Sequence, residues 1–163
     1  MAVWLLAVTW AIPAAATELI GQEVPPYPDG LVSRQGSCVT DSPGYEHVCD
    51  YQLALVEDAD GTPRFVVAGQ AVAPDANGPR WRVLDAIVHP RLAADEYLAL
   101  GACRLHGTAD DEPDPAIVAV VGFGGDVEWF DDVRRAWRLD FAQQRLVELP
   151  VAGVQCANEG YGL

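Results

Sequence analysis

The chain contains no lysine, and all ten of its basic residues are arginine. These ten arginines face 24 aspartate and glutamate residues, which gives a formal net charge of −14. A field of this sign repels nucleic-acid phosphates and anionic lipid headgroups. We therefore expect no nucleic-acid partner, and a basic protein is the macromolecular partner that the charge favours.

The motifs of several common enzyme and cofactor classes are also missing. The chain has no Gly-x-Ser-x-Gly nucleophile turn, no His-Glu-x-x-His motif and no Cys-x-x-Cys pair. Its three histidines, His47, His89 and His106, are scattered over predicted turns and strand ends, where a solvated histidine is ordinary. The sequence thus indicates no cofactor and no catalytic residue, and it favours a non-enzymatic protein.

The N-terminal apolar run, Ala2–Ile12, is shorter than the roughly 20 residues that a membrane-spanning helix needs. Pro13 ends it, and three alanines follow, as is typical of a secretory signal peptide, although the run carries no arginine. We predict cleavage after the third alanine. Residues 1–16 are then the signal peptide and residues 17–163 are one acidic domain, which we expect not to insert into a membrane after cleavage.

The four cysteines, Cys38, Cys49, Cys103 and Cys156, all lie in the predicted mature domain. An even number of cysteines in an exported chain is typical of disulfide bonds. Three pairings are possible, and the turn sequence between the first two cysteines favours Cys38–Cys49 together with Cys103–Cys156. The sequence therefore predicts a disulfide-bonded domain in a periplasmic or secreted location.

Short β-rich segments separated by turn sequences predict a mainly β fold, an antiparallel meander or sandwich-like single domain with at most one or two short helices. The proline-containing start of the mature chain, residues 17–33, is predicted to be a packed arm that covers a sheet edge. The predicted strands are 50–56, 64–72 and 81–88 as a meander, 97–104, 116–123 as the most buried strand, and 136–141 with 145–149 as a final hairpin.

The segment that follows Asp126 is the hardest to interpret. Aspartate is a common N-cap residue, and acids early in the segment with arginines late in it suit a helix dipole. The apolar residues that follow have helical spacing: Trp129, Phe130, Val133 and Trp137. We predict a short helix over 127–134. An α+β domain with a helix near 127–139 is the alternative fold.

Two acidic segments are weak candidates for calcium. Asp58 and Asp60 precede Gly61 as in the start of an EF-hand loop, but the twelfth position is Gly69 instead of glutamate, so a hairpin turn is favoured. Asp110, Asp111 and Asp114 belong to a denser acidic loop, for which simple solvation is the ordinary explanation.

A hydrolase or sugar-binding enzyme is the alternative that uses the acidic and aromatic segment 128–137. Its carboxylates are candidates for glycoside chemistry and its aromatic rings for sugar stacking: Glu128, Asp131, Asp132, Trp129 and Phe130. The same spacing also suits a solvated helix surface, on which Asp131 would pair with Arg135.

Two stretches and the signal resemble uncharacterised exported proteins of GC-rich Gram-negative bacteria. The stretches are Ala-Trp-Arg-Leu-Asp at 136–140 and Cys-Ala-Asn-Glu-Gly-Tyr at 156–161. The resemblance concerns the layout of the whole chain, implies a periplasmic or secreted location, and carries no activity. We expect an exported non-enzymatic protein, such as a periplasmic binding or inhibitor-type module. There are two alternatives: a secreted hydrolase or sugar-binding enzyme, and a structural envelope protein.

Overall fold

A computed structural model describes residues 14–41, 49–107 and 112–162, and this part of the chain is mainly β. One short helix begins this part of the chain, and one 3₁₀ turn (Pro28–Gly30) lies between the first two of its strands. The helix is α1 (Ala14–Leu19), and the strands are β1 (Glu23–Val24), β2 (Val32–Val39), β3 (Tyr51–Glu57), β4 (Pro63–Asp75), β5 (Gly78–Val88), β6 (Glu96–Leu100), β7 (Cys103–Leu105), β8 (Ile117–Gly122), β9 (Trp129–Phe130), β10 (Val133–Asp140), β11 (Arg145–Leu149) and β12 (Val154–Ala157).

The strands form three antiparallel sheets. The large sheet has the order β1-β5-β4-β3-β2, the central sheet β11-β10-β8-β6, and the small sheet β7-β12-β9. The meander predicted from three consecutive β-rich segments is β3-β4-β5 of the large sheet, and the predicted final hairpin is β10-β11. The mainly β antiparallel fold is therefore confirmed.

The large sheet is buried on both faces along β3. Leu53 and Leu55 face the central sheet, whereas Ala54 and Val56 face α1, because successive side chains of a strand point to opposite faces. On the α1 side, Leu19 is 1% exposed and packs with this second group. The arm also covers the edge of the sheet, since β1 pairs with β5 and Val24 is fully buried, as the sequence predicts.

Strand β8 lies at the centre of the molecule, and all six of its residues are buried. Val118 and Val120 pack toward the large sheet, whereas Ile117 and Val121 pack toward the small sheet. The prediction that this segment is the most deeply buried strand agrees with this position. The layers follow in the order α1, large sheet, central sheet and small sheet.

The helix predicted over 127–134 is wrong, and so is the alternative of a helix near 127–139. This segment instead forms β9, a turn and the start of β10. The register of β10 against β8 shifts between Val133 and Arg135, so one residue is inserted as a β-bulge. The bulge places Val133 and Ala136 in the same apolar cluster, which produces the i, i+3 spacing of a helix within a strand.

The predicted strand over 97–104 divides into β6 and β7 at Gly101 and Ala102. Gly101 has φ +73°, a left-handed conformation that glycine adopts without steric cost, and a Cβ there would collide with Ser37. The chain leaves the central sheet at this point and enters the small sheet. Strand β2 was not predicted as a strand, because its residues are mostly polar and exposed.

Both predicted disulfides, Cys38–Cys49 and Cys103–Cys156, are present. The second joins cross-strand partners of β7 and β12, and both of its cysteines are fully buried. Two disulfides are typical of proteins in an oxidising, extracytoplasmic environment. Within the described ranges, no helix is long and apolar enough to span a membrane.

Candidate functional site

The first weak calcium candidate, at Asp58 and Asp60, is a hairpin turn whose carboxylates are engaged locally. Asp58 accepts from the Arg64 guanidinium at 2.9 Å, and its backbone N–H donates to the Thr62 carbonyl. Asp60 Oδ1 accepts the Thr62 backbone N–H at 2.9 Å, and this hydrogen bond lowers the pKa of Asp60. The turn between β3 and β4 thus accounts for both carboxylates.

At the second candidate, Asp114 forms an ion pair with Arg138 at 2.7 Å and accepts the Ala116 backbone N–H at 2.9 Å. Asp110 and Asp111 lie outside the described residues. In residues 14–41, 49–107 and 112–162, no three histidine, cysteine, aspartate or glutamate side chains come together in a way that would hold a metal ion.

The structure separates the aromatic residues of segment 128–137. Phe130 packs between the central and small sheets, whereas Trp137 packs between the large and central sheets. Trp129 is half-buried beneath the Arg104 guanidinium, 3.8 Å from its ring centroid. The expected pair between Asp131 and Arg135 is wrong, because Arg135 pairs with Glu148 on the neighbouring strand β11 at 3.2 Å.

The histidines do not meet in one site. His89 is half-buried at the end of β5, where burial lowers its pKa from the usual value of 6.5. His106 follows β7 and donates its backbone N–H to the Gly153 carbonyl. His47 lies outside the described residues.

The most unusual surface of the described chain is built around Phe123, immediately after β8. Its side chain is 62% exposed, the highest value among the large apolar side chains in the described ranges. The ring stacks on Tyr97 of β6 with a centroid distance of 4.9 Å, and Tyr97 in turn meets the edge of Phe130 at 6.2 Å. The exposed ring therefore rests on an aromatic support that is anchored in the core.

The backbone fixes this aromatic pair in place. The Phe123 N–H donates to the Asp95 carbonyl at 2.8 Å, and the Tyr97 hydroxyl donates to the Ala157 carbonyl at 3.3 Å. Burial raises the pKa of Tyr97, and the nearby Glu159 carboxylate raises it further. Tyr97 consequently stays a neutral hydrogen-bond donor at physiological pH.

Two further exposed apolar side chains belong to the same region. Val127 is 44% exposed and Tyr161 is 50% exposed. Asn158 connects their segments, because its side-chain amide donates to the Val127 carbonyl at 2.9 Å and its backbone carbonyl accepts the Tyr161 N–H at 3.0 Å. The C-terminal tail is thereby held against the loop that follows Phe123.

Several acidic residues lie on the segments that carry these apolar side chains, and among them the Glu159 carboxylate acts on Tyr97 and the Asp132 carboxylate lies against Gly122. Asp95 and Glu96 precede Tyr97, the Gly122 N–H donates to the Asp132 carbonyl, and the Asn158 N–H donates to the Glu128 carbonyl. Arg134 lies among them and pairs with Asp132 at 2.8 Å and with Glu96 at 3.9 Å. We call the whole region the acidic aromatic surface, and it comprises Phe123, Tyr97, Val127 and Tyr161 with Asp95, Glu96, Asp126, Glu128, Asp131, Asp132 and Glu159.

This arrangement suits cationic side chains with apolar stems. An arginine or lysine that lies over the exposed face of Phe123 gains a cation–π interaction, and acidic residues of the same region attract its charge. The sequence signal for the site was present in the acids of segment 126–132. The exposed position of Phe123 was missed, because it ends an apolar run that predicts a buried strand.

No family model, curated protein or solved structure matches this chain.

Proposed function

We propose that the protein is an exported, non-enzymatic binding module, periplasmic or secreted, that uses the acidic aromatic surface to hold a basic protein. The observation that carries this proposal is Phe123, which is 62% exposed and stacked on Tyr97 in a region whose segments carry several acidic residues. The proposal extends the charge argument from the sequence, where −14 favours a basic partner, to a defined part of the molecule.

The composition of the surface supports binding more than simple solubility. Solvation of an acidic protein requires charge but no exposed aromatic side chain. Interfaces, in contrast, combine a few aromatic anchors with a polar rim that excludes water around them. The carboxylates add long-range attraction for a basic partner and accelerate the encounter, an effect that weakens with added salt.

Comparative capture from the native envelope and culture medium tests the binding. The baits are the wild-type domain, Phe123→Ala, and the double variant Glu128→Gln/Glu159→Gln. Val88→Ala is the matched control, because Val88 is a 45% exposed apolar residue of β5 in the large sheet and is not part of the acidic aromatic surface. We expect a basic protein that the wild type and the control both retain and that the other two baits lose.

Calorimetry with that purified protein then measures the dissociation constant for each variant. We expect Phe123→Ala to weaken the dissociation constant at least about tenfold, which corresponds to roughly 1.4 kcal/mol. Added salt should weaken it further by screening the carboxylates. Equal capture of the same proteins by all four baits would refute the proposed surface.

The proposal also states that the protein is exported, and this is tested by the intact mass of the protein recovered from its native envelope or medium. Cleavage after Ala16 predicts a chain that begins at Thr17, with a mass about 4 Da below that of the reduced chain because two disulfides remove four hydrogens. Ala16 is fully buried beside Leu19, so this cut divides α1. A mature chain that retains Met1 would contradict export through a cleaved signal.

A further inference from the structure

A second concave site lies on the outer face of the large sheet, between that sheet and the N-terminal arm. It has a volume of about 520 Å³, within the usual range for small-molecule sites. The arm contributes the walls, and the sheet contributes a tryptophan, a glutamine and a serine. We call it the arm groove, and its principal residues are Pro25, Pro26, Tyr27, Ser33, Gln52 and Trp81.

The groove depends on a glycine in the middle of the sheet. Gly69 of β4 is buried between Gln52 of β3 and Trp81 of β5. A Cβ on Gly69 would lie 3.1 Å from Trp81 Cβ, a tight contact, and 3.4 Å from Gln52 Cγ, at the short end of ordinary van der Waals contact. Because that Cβ is absent, Trp81 and Gln52 lie close together across β4 and line one continuous groove.

The principal residues of the groove are all uncharged, in a chain with a net charge of −14. Its polar groups are also held in position, because Ser33 and Gln52 both hydrogen-bond the Tyr27 hydroxyl. Burial raises the pKa of Tyr27, and these two hydrogen bonds act in the opposite direction. Tyr27 is therefore neutral at physiological pH. A charged ligand would find no ion-pair partner among these six side chains.

We propose that the arm groove binds a neutral saccharide. The ring of Trp81 and the proline side chains offer flat apolar surfaces for the apolar faces of sugar rings. The Ser33 hydroxyl and the Gln52 amide each donate and accept hydrogen bonds, as sugar hydroxyls also do. A proline-rich peptide has carbonyl acceptors without matching N–H donors. Such a peptide fits the groove less well, because it leaves the acceptor oxygens of Ser33 and Gln52 without a donor.

Titration of the folded wild-type domain with a panel of neutral trisaccharides tests the proposal. Suitable probes are maltotriose, cellotriose, xylotriose and triacetylchitotriose, with calorimetry and tryptophan fluorescence as readouts. We expect at least one probe to bind saturably with a dissociation constant of about 1 mM or tighter. We also expect the emission change to be lost in Trp81→Phe and retained in Trp129→Phe.

Two variants separate binding from folding. Ser33→Ala changes an exposed residue of the edge strand β2 and leaves the core untouched, whereas Trp81→Ala removes the stacking ring. We expect each to weaken the saccharide at least about tenfold, with circular dichroism verifying that Ser33→Ala has the wild-type fold. Neither variant touches the acidic aromatic surface, so both should still retain the basic partner.

Three results would overturn the saccharide proposal. The first is the absence of saturation with every probe at about 20 mM, well above any useful affinity. The second is unchanged binding in the folded Ser33→Ala and Trp81→Ala variants, which would place the sugar elsewhere. The third is saturation by a hexaproline peptide where all four sugars fail, which would assign the groove to an extended peptide.

Discussion

Asp85 shows how one side chain joins two sheets. It lies on β5 of the large sheet, yet its Oδ2 accepts the Leu146 backbone N–H of β11 at 2.8 Å, while Oδ1 accepts the Ala86 N–H at 2.9 Å. β11 is an edge strand of the central sheet, and edge strands expose unpaired backbone groups. The carboxylate satisfies one of these groups and connects the two layers.

We predict that Asp85→Ala lowers the free energy of unfolding by about 1.5–3 kcal/mol, because hydrogen bonds to a charged acceptor are worth this much and the Leu146 N–H loses its partner. Urea denaturation measures the change. Asp140→Ala is the control, since Asp140 accepts the Gln143 N–H at 2.8 Å within a single hairpin turn. A loss no greater than in the control would show that the link between the sheets contributes little.

His89 gives the fold a dependence on pH. Because burial lowers its pKa below 6.5, the unfolded chain takes up the proton before the folded chain does as the pH falls. The contribution to stability is complete above pH 6.5 and is lost as the pH falls through the lower pKa of the folded state. The nearby Glu57 carboxylate opposes the shift without reversing it.

We predict that His89→Gln makes the unfolding free energy less dependent on pH between 7 and 5. Urea titrations at several pH values measure the slope. His106→Gln is the matched control, because His106 is exposed after β7. Identical slopes for the wild type and His89→Gln would show that His89 does not contribute to this dependence.

At single residues, the sequence predicted local interactions more successfully than distant ones. The turn at Asp58 and Asp60 was foreseen because turn chemistry lies within a few consecutive residues. The hydrogen bond between Asp85 and Leu146 joins residues 61 positions apart, and no sequence pattern predicts it. The stacking of Phe123 on Tyr97 escaped prediction for the same reason, since it depends on which strands become neighbours.

Strand β8 is tightly packed on both of its faces. Ile117 is fully buried between the central and small sheets, while its neighbour Val118 is fully buried on the opposite face. A strand covered on both faces has little freedom to relax when a side chain is shortened.

We therefore predict that Ile117→Ala lowers the free energy of unfolding by about 2–5 kcal/mol, through lost burial and the cavity that remains. Thermal and urea denaturation measure it. Val147→Ala on β11 is the control, because Val147 is 37% exposed, and its effect should stay within about 0.5 kcal/mol. A loss below about 1 kcal/mol for Ile117→Ala would mean that the two sheets close over the missing atoms.

Strands were predictable where apolar residues form a continuous or strictly alternating run, as in β3, β4 and β8. Two physical features defeated the same method elsewhere. The bulge in β10 gave Val133 and Ala136 the spacing of a helix. The polar edge strand β2 has no apolar pattern, because most of its side chains face solvent and its strand character depends on pairing with β3.

Across the whole molecule, the acidic aromatic surface and the arm groove belong to different layers. The first lies beside the central and small sheets around Phe123, whereas the second lies on the outer face of the large sheet around Trp81. Of the two, only the acidic aromatic surface carries the negative charge that is prominent in the sequence. The groove was not foreseen, because its walls come from the arm, β2, β3 and β5, and only folding brings these segments together.

The two disulfides should differ in their contribution to the stability of the whole chain. Cys103–Cys156 closes a separation of 53 residues and Cys38–Cys49 one of 11 residues. In the chain-entropy model these loops correspond to about 4 and about 3 kcal/mol. The longer loop contains all of β8, β9, β10 and β11, so its closure limits the unfolded states of most of the central sheet.

Burial adds to this difference. Cys103 and Cys156 are fully buried between the central and small sheets, whereas Cys38 is exposed on β2. We predict that Cys103→Ala/Cys156→Ala lowers the unfolding free energy by at least about 4 kcal/mol and more than Cys38→Ala/Cys49→Ala does. Urea denaturation of both double variants under identical conditions measures the order, and a larger loss from the shorter loop would contradict it, because neither loop length nor burial produces that result.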